Sequence, residues 1–202
     1  KSFYGILPDH VAVIEMAACA GLTLVQDDPN PLITTTYGVG ELMIAAWNKG
    51  CRKMIIGLGG SSTNDGGCGA AVALGYKFYD DSEQEFIPTG GTLNRIVRID
   101  SSNIHPLIHE CLIITMCDID NPMFGEQGAA YVFGPQKGAD QASVKLLDEG
   151  LYHLSQLIEK DLNKQVLELP GAGAAGGMGA GMVAFFNSTL QSGIETILDI
   201  AQ

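Results

Sequence analysis

Residues 53–75 read "KMIIGLGGSSTNDGGCGAAVALG": an apolar run, a polar turn with five glycines within 57–67, and a small-residue run. A connector needs only a few polar residues and one glycine at a left-handed position. This turn instead sets Ser61, Ser62, Thr63, Asn64 and Asp65 in succession. The run before it predicts a buried strand, and the alanine-rich run after it predicts a helix. Such a junction presents backbone N–H groups at the helix N-terminus, where phosphate or carboxylate is the natural guest. Gly59, Gly60 and Gly66 would let the backbone approach an anion closely, and the polar side chains would bind the rest of a small ligand. The plain alternative is a tight crossing in which the glycines serve packing alone. No Gly-Lys-Ser or Gly-Lys-Thr follows, so the stretch is not a Walker A loop.

On either side of this junction the chain alternates between strand and helix signals. "FYGIL" and "VAVIEMA" flank Pro8-Asp9 and predict a hairpin. A polar loop with Pro29 and Pro31 leads to a helix from about Gly40 to Asn48, stopped by Gly50. "YKFYDDSEQEFIP" predicts a strand with a charged hairpin end, and "CLIITMCDID" a buried strand ending in acids. Val144, Leu147, Leu151, Leu154 and Ile158 recur at helical spacing within 142–162. "VLELPGAGAAGGMGAGMVAFF" gives a short strand, a second glycine-rich turn and a packed helix. The expected class is α/β: a mixed sheet with helices packed on it and glycine-rich strand-to-helix turns, forming one domain over 1–202.

Three further motifs carry chemistry. In "CDIDNP", Asp118 and Asp120 stand two apart at an expected strand end, so their carboxylates would share one side and hold Mg²⁺ or divide base and metal roles. The alternative is a solvated strand end. In "AAYVFGPQKGA", Lys137 falls in a Gly/Pro turn behind an expected apolar strand, as a phosphate contact or a surface lysine. "PGAGAAGG" contains a formal dinucleotide fingerprint at Gly171, Gly173 and Gly176, but no acid ends a following strand, since Glu195 begins the next apolar run. It reads better as a second amide-rich turn lining the same cleft. The histidines form no metal or triad spacing, and no nucleophile elbow occurs.

The chain has 202 residues, 46% of them hydrophobic, enough for a substantial core. Its 11 Lys+Arg against 23 Asp+Glu give a net charge of -12, which argues against nucleic acid as a partner. No apolar run reaches membrane-spanning length, so no membrane partner is expected. Five scattered cysteines without C-x-x-C point to reduced thiols and a cytoplasmic setting. The chain opens at Lys1 without methionine and stops after "IETILDIAQ", so both ends look cut.

"GLGGSSTNDGGCGAAVALG", "CDIDNP", "AAYVFGPQKGA", "PGAGAAGGMGAG" and "SGIETILD", in this order, closely resemble the bacterial type I glycerate kinases. Ser62 stands where the family often has a small apolar residue, and Met123-Phe124 where leucine is frequent. The resemblance implies ATP- and Mg²⁺-dependent phosphorylation of D-glycerate, in this type usually at the 2-hydroxyl. It also implies two α/β domains with the active site in the cleft between them. This chain would be the second, inserted domain, lacking the first domain of the same protein and inactive alone; a homo-oligomer stays open. Asp65, Asp118, Asp120 and Lys137 are then the candidate catalytic residues, with Asp118 and Asp120 on the metal. Gly59, Gly60, Ser61, Ser62, Thr63, Asn64, Gly66, Gly173 and Gly176 are the candidates for substrate and phosphate. A dinucleotide-dependent oxidoreductase and a non-catalytic sugar-acid-binding domain are the rival classes.

Overall fold

The computed structural model describes residues 2–194. The apolar run at 195–202, with Glu195 and most of "SGIETILD", lies outside the described residues. A five-stranded sheet forms the centre, in the order β1 (Gly5–Leu7), β2 (Val11–Glu15), β3 (Lys53–Gly57), β7 (Leu112–Met116), β8 (Thr189–Gln191). The β1–β2 pair is antiparallel and the other pairs are parallel, the mixed sheet that the antiparallel start predicts. Ile55, Ile56, Ile113 and Ile114 are buried where β3 and β7 run side by side, as expected of parallel strands covered on both faces. A second, antiparallel sheet joins β4 (Lys77–Tyr79) to β5 (Glu85–Phe86), the predicted charged hairpin, and to β6 (Arg98–Asp100).

The helices are α1 (Ala17–Ala20), α2 (Tyr37–Asn48), α3 (Cys68–Ala73), α4 (Leu107–Glu110), α5 (Ala129–Phe133), α6 (Gln141–Leu162) and α7 (Ala174–Phe186). α6 begins where Asp140 accepts the Ser143 N–H and ends at left-handed Asn163, and it buries the five apolar residues its spacing marked. α2 ends as predicted, with Gly50 left-handed, but starts at Tyr37, ahead of the expected Gly40. α7 packs on α3, α5, α6, β7 and β8, which joins the end of the chain to the central sheet.

Two expected strands are absent. Residues 166–169 form no strand and lead straight into the second glycine turn. "AAYVF" is α5: Ala129 and Ala130 are buried together and Tyr131 and Val132 exposed together. That pairing follows a helical face, whereas a strand would alternate. β6 and β8, three residues each, carry too little pattern to be read from sequence.

Candidate active site

β3 and β7 end side by side, and the segments beyond their carboxyl ends meet at one cavity of about 280 Å³. Leu58, Gly59, Gly60 and Ser61 come from β3; Met116, Cys117, Asp118 and Ile119 from the end of β7. Phe133, Gln136 and Lys137 come from α5 and the turn behind it, and Ala174 and Ala175 from the second glycine turn. The carboxyl ends of parallel strands are the usual place for a ligand in an open α/β sheet.

The stretch "GLGGSSTNDGG" divides in two. Gly59 and Gly60 are exposed on the cavity, and a Cβ at Gly59 would meet nothing within 4 Å, so close packing does not explain that glycine. From Ser62 onward the turn is buried framework. The Ser62 hydroxyl donates to the Ala20 carbonyl at 3.0 Å, and the Ser62 carbonyl accepts from the Thr34 hydroxyl at 2.9 Å. Thr63 and Asn64 are wholly buried and are not among the cavity's lining residues; the Thr63 Oγ1 and both side-chain amide atoms of Asn64 have no hydrogen-bond partner among the described residues. Gly66 donates to the Gly176 carbonyl at 3.1 Å, and a Cβ at Gly176 would overlap the Thr63 carbonyl oxygen. The two glycine turns are therefore pressed together, and Gly66 and Gly176 serve that approach rather than a ligand.

Asp65 also differs from expectation. Its carboxylate is fully buried and accepts from the Thr36 N–H at 2.8 Å, the Thr36 hydroxyl at 2.9 Å, and the Gly67 and Gly69 N–H groups at 3.2 Å. The Thr36 hydroxyl in turn accepts from the Ala70 N–H at 3.0 Å. The anion at the start of α3 is thus the protein's own carboxylate, which explains the aspartate in the turn without an external phosphate. Burial pushes the Asp65 carboxyl up, against the pull of its four hydrogen bonds. Thr36 is the partner that sequence reading missed; a threonine just ahead of an apolar helical run is an N-cap signal that would have placed the start of α2.

Lys137 is the cation of the site. It lies in a tight helical turn behind α5, only 2% exposed, with Nζ donating to the Ser61 hydroxyl at 2.9 Å and to the Thr63 carbonyl at 2.7 Å. No carboxylate forms an ion pair with it among the described residues. Burial lowers its ammonium from the ordinary lysine range to about 8, partly opposed by the negative charge of Asp65. An ammonium in that setting gains from an anion arriving in the cavity.

The two acids of "CDIDNP" separate. β7 stops at Met116, so Asp118 and Asp120 lie beyond the strand and its alternation does not align them. Asp118 lines the cavity and accepts from the Gly193 N–H at 2.8 Å, whereas Asp120 is exposed elsewhere. Among the described residues no group of three or more acidic, histidine or cysteine side chains is placed to hold a metal ion. Gly173 is off the cavity too, its N–H donating to the Asn121 carbonyl at 2.9 Å. With no strand before it, the formal dinucleotide fingerprint lacks the structural setting that would give it meaning.

Parallel strands here bring a glycine turn, a buried lysine and one acid to a common cavity at their carboxyl ends, the arrangement of an α/β protein with a ligand-sized cleft. The chain belongs to the Glycerate kinase family, whose model matches residues 1–202. It is 47% identical over 197 residues to the glycerate kinase of Halalkalibacterium halodurans, an overlap of 96% of this chain and 52% of that protein. It is 47% identical over 196 residues to the glycerate 2-kinase of Escherichia coli, covering 96% and 51% respectively. A solved structure from Salmonella typhimurium LT2, assigned as glycerate kinase 2, superposes with a TM-score of 0.95 at 44% identity, over 98% of this chain and 54% of that one. The chain spans about half the length of the curated relatives it matches.

Proposed function

We propose that this chain takes part in transfer of the ATP γ-phosphate to D-glycerate, and that its cavity holds the small, anionic end of that reaction. The observation that carries the reading is Lys137: a buried ammonium on the cavity wall, bonded to Ser61 and in no ion pair with a carboxylate among the described residues. Phosphoryl transfer consists largely of positioning and charge stabilisation, which a pre-set, buried cation in the wall supplies. Gly59, Gly60 and Ser61 bring backbone and hydroxyl to the ligand; Lys137 offsets its charge. Phosphorylation at the 2-hydroxyl is supported by the name of the Escherichia coli relative.

Asp118 is the acid of the proposal. Mg²⁺ takes one or two carboxylates and completes its shell with water and phosphate oxygens, so a single cavity acid without a wider cluster fits it. Bound there, the ion would neutralise phosphate charge. Asp65 acts as framework, because its oxygens are already engaged.

A cavity of about 280 Å³ is smaller than the usual site for a ligand of drug size, so ATP must extend beyond it. This supports the reading that the active site is completed by the rest of a two-domain kinase and that this chain alone does not turn over. Among the described residues no helix is long and apolar enough to cross a membrane, and a cytoplasmic setting belongs to the same proposal. The test is a coupled ADP-release assay of the full-length protein with MgATP and a panel of hydroxy acids, the product position being read by phosphorus-coupled NMR. Glycerate-dependent ADP release is expected. Its absence would sink the kinase reading and leave a non-catalytic acid-binding domain.

A further inference from the structure

Three hydroxyl groups around the first glycine turn are spent on the fold: Ser62 donates to the Ala20 carbonyl, Thr34 to the Ser62 carbonyl and Thr36 to Asp65. Ser61 differs. Its Oγ accepts from Lys137 Nζ at 2.9 Å, and no other hydrogen bond engages that hydroxyl among the described residues. Ser61 and Lys137 both line the cavity, so the bond that joins their side-chain ends lies in its wall. The pair is held from both sides. Nζ also donates to the Thr63 carbonyl at 2.7 Å, and the backbone at Ser61 is bridged to Gly21.

A serine hydroxyl bonded directly to a lysine amine on a cavity wall has the arrangement of a nucleophile beside its base. That chemistry needs the amine neutral. Burial favours the neutral form, lowering Lys137 to about 8 against the pull of Asp65. A neutral amine still donates to the Thr63 carbonyl and offers its lone pair to the Ser61 proton. An anion in the cavity would restore the ammonium, so nucleophile and cation are two protonation states of one pair. The backbone N–H groups of Gly60 and Ser61 form no hydrogen bond among the described residues, which leaves donors for an oxyanion in the same turn.

We propose that Ser61 and Lys137 form a serine–lysine dyad that gives this site a second activity, hydrolysis of activated esters of short acids through an acyl-Ser61 intermediate. Ser61 Oγ bonds to the ester carbonyl carbon while its proton passes to the Lys137 amine. The bond from that carbon to the leaving oxygen then breaks, and the alcohol departs with the proton. Water repeats the sequence on the acyl-serine: its oxygen bonds to the carbonyl carbon, its proton passes through Lys137 to Ser61 Oγ, and the carboxylic acid leaves. This activity does not depend on glycerate being the phosphate acceptor.

The test uses the full-length protein at about pH 8.5, where the amine is largely neutral. p-Nitrophenyl acetate reads turnover. A fluorophosphonate, which loses fluoride to leave a stable phosphonyl-serine, marks the nucleophile for peptide mass spectrometry. The label is expected on Ser61, with p-nitrophenol release lost in Ser61→Ala and slowed about a hundredfold in Lys137→Met, as for removal of a general base. A parent whose Ser61 stays unlabelled overturns the inference, and so does release at the parental rate in Ser61→Ala. Equally fast labelling of Ser61 in a Lys137→Met variant that melts like the parent overturns it too, by removing the lysine from the chemistry. The labelling of the parent needs no variant, so it decides the matter even if Lys137→Met fails to fold.

Discussion

Asp65 Oδ2 accepts both the backbone N–H and the hydroxyl of Thr36, at 2.8 and 2.9 Å, and so ties the start of α2 to the turn that launches α3. An amide at position 65 would turn an acceptor into a donor against N–H groups that have no other outlet. We expect Asp65→Asn to lose about 3 kcal/mol, as when one partner of a buried charged network is removed. Denaturant unfolding checks this. A variant with parental stability and lost turnover would return Asp65 to the catalytic group.

That relationship also marks what a sequence can show here. β2, β3, β7, α6 and the glycine turns were legible because apolar periodicity and left-handed stops are local signals. The division of "GLGGSSTNDGG" was not, since the Gly59 side and the Gly66 side look alike until α7 packs against one of them. The pairing of Lys137 with Ser61 joins residues 76 apart, and the separation of Asp118 from Asp120 depends on β7 stopping at Met116. "AAYVF" misled because its composition favours a strand, whereas its burial follows a helix.

Lys137 gives a pH signature. With its amine at about 8 in the folded protein and in the ordinary range when unfolded, the unfolded chain binds the extra proton between about pH 8 and 10.5. Stability from this group therefore rises with pH through that window and is lowest below it. Against Lys137→Met, the wild type should gain about 3 kcal/mol between pH 7 and 10.5. Paired urea titrations read the difference; a gap that stays constant with pH would mean that the lysine is neither buried nor shifted.

Ligand binding should reverse that shift. An anion in the cavity favours the ammonium, so glycerate or phosphate binding to the full-length protein at pH 8–9 is expected to take up a fraction of a proton, fading near pH 6 and absent in Lys137→Met. Calorimetry in buffers of different ionisation heat counts the protons. Equal uptake in the variant would place the titrating group elsewhere.

The two acids should part in kinetics. Asp118→Asn, at the cavity, is expected to lower kcat about a hundredfold with little change in melting temperature, while exposed Asp120→Asn stays near the parent. Equal losses in both would restore a paired metal site.

The last prediction separates the two halves of the glycine stretch. Gly59 has open space where a Cβ would stand, so Gly59→Ala should keep stability within about 0.5 kcal/mol and raise KM for glycerate or ATP, because the added methyl enters the cavity. Gly176, left-handed with its Cα face against the Thr63 carbonyl, has no such room. Gly176→Ala should cost about 3 kcal/mol, by combining a disfavoured backbone with overpacking. If Gly59→Ala has parental KM values at an unchanged melting temperature, that side of the turn touches no ligand. The stretch would then be architecture throughout, and the case for an anion would rest on Lys137.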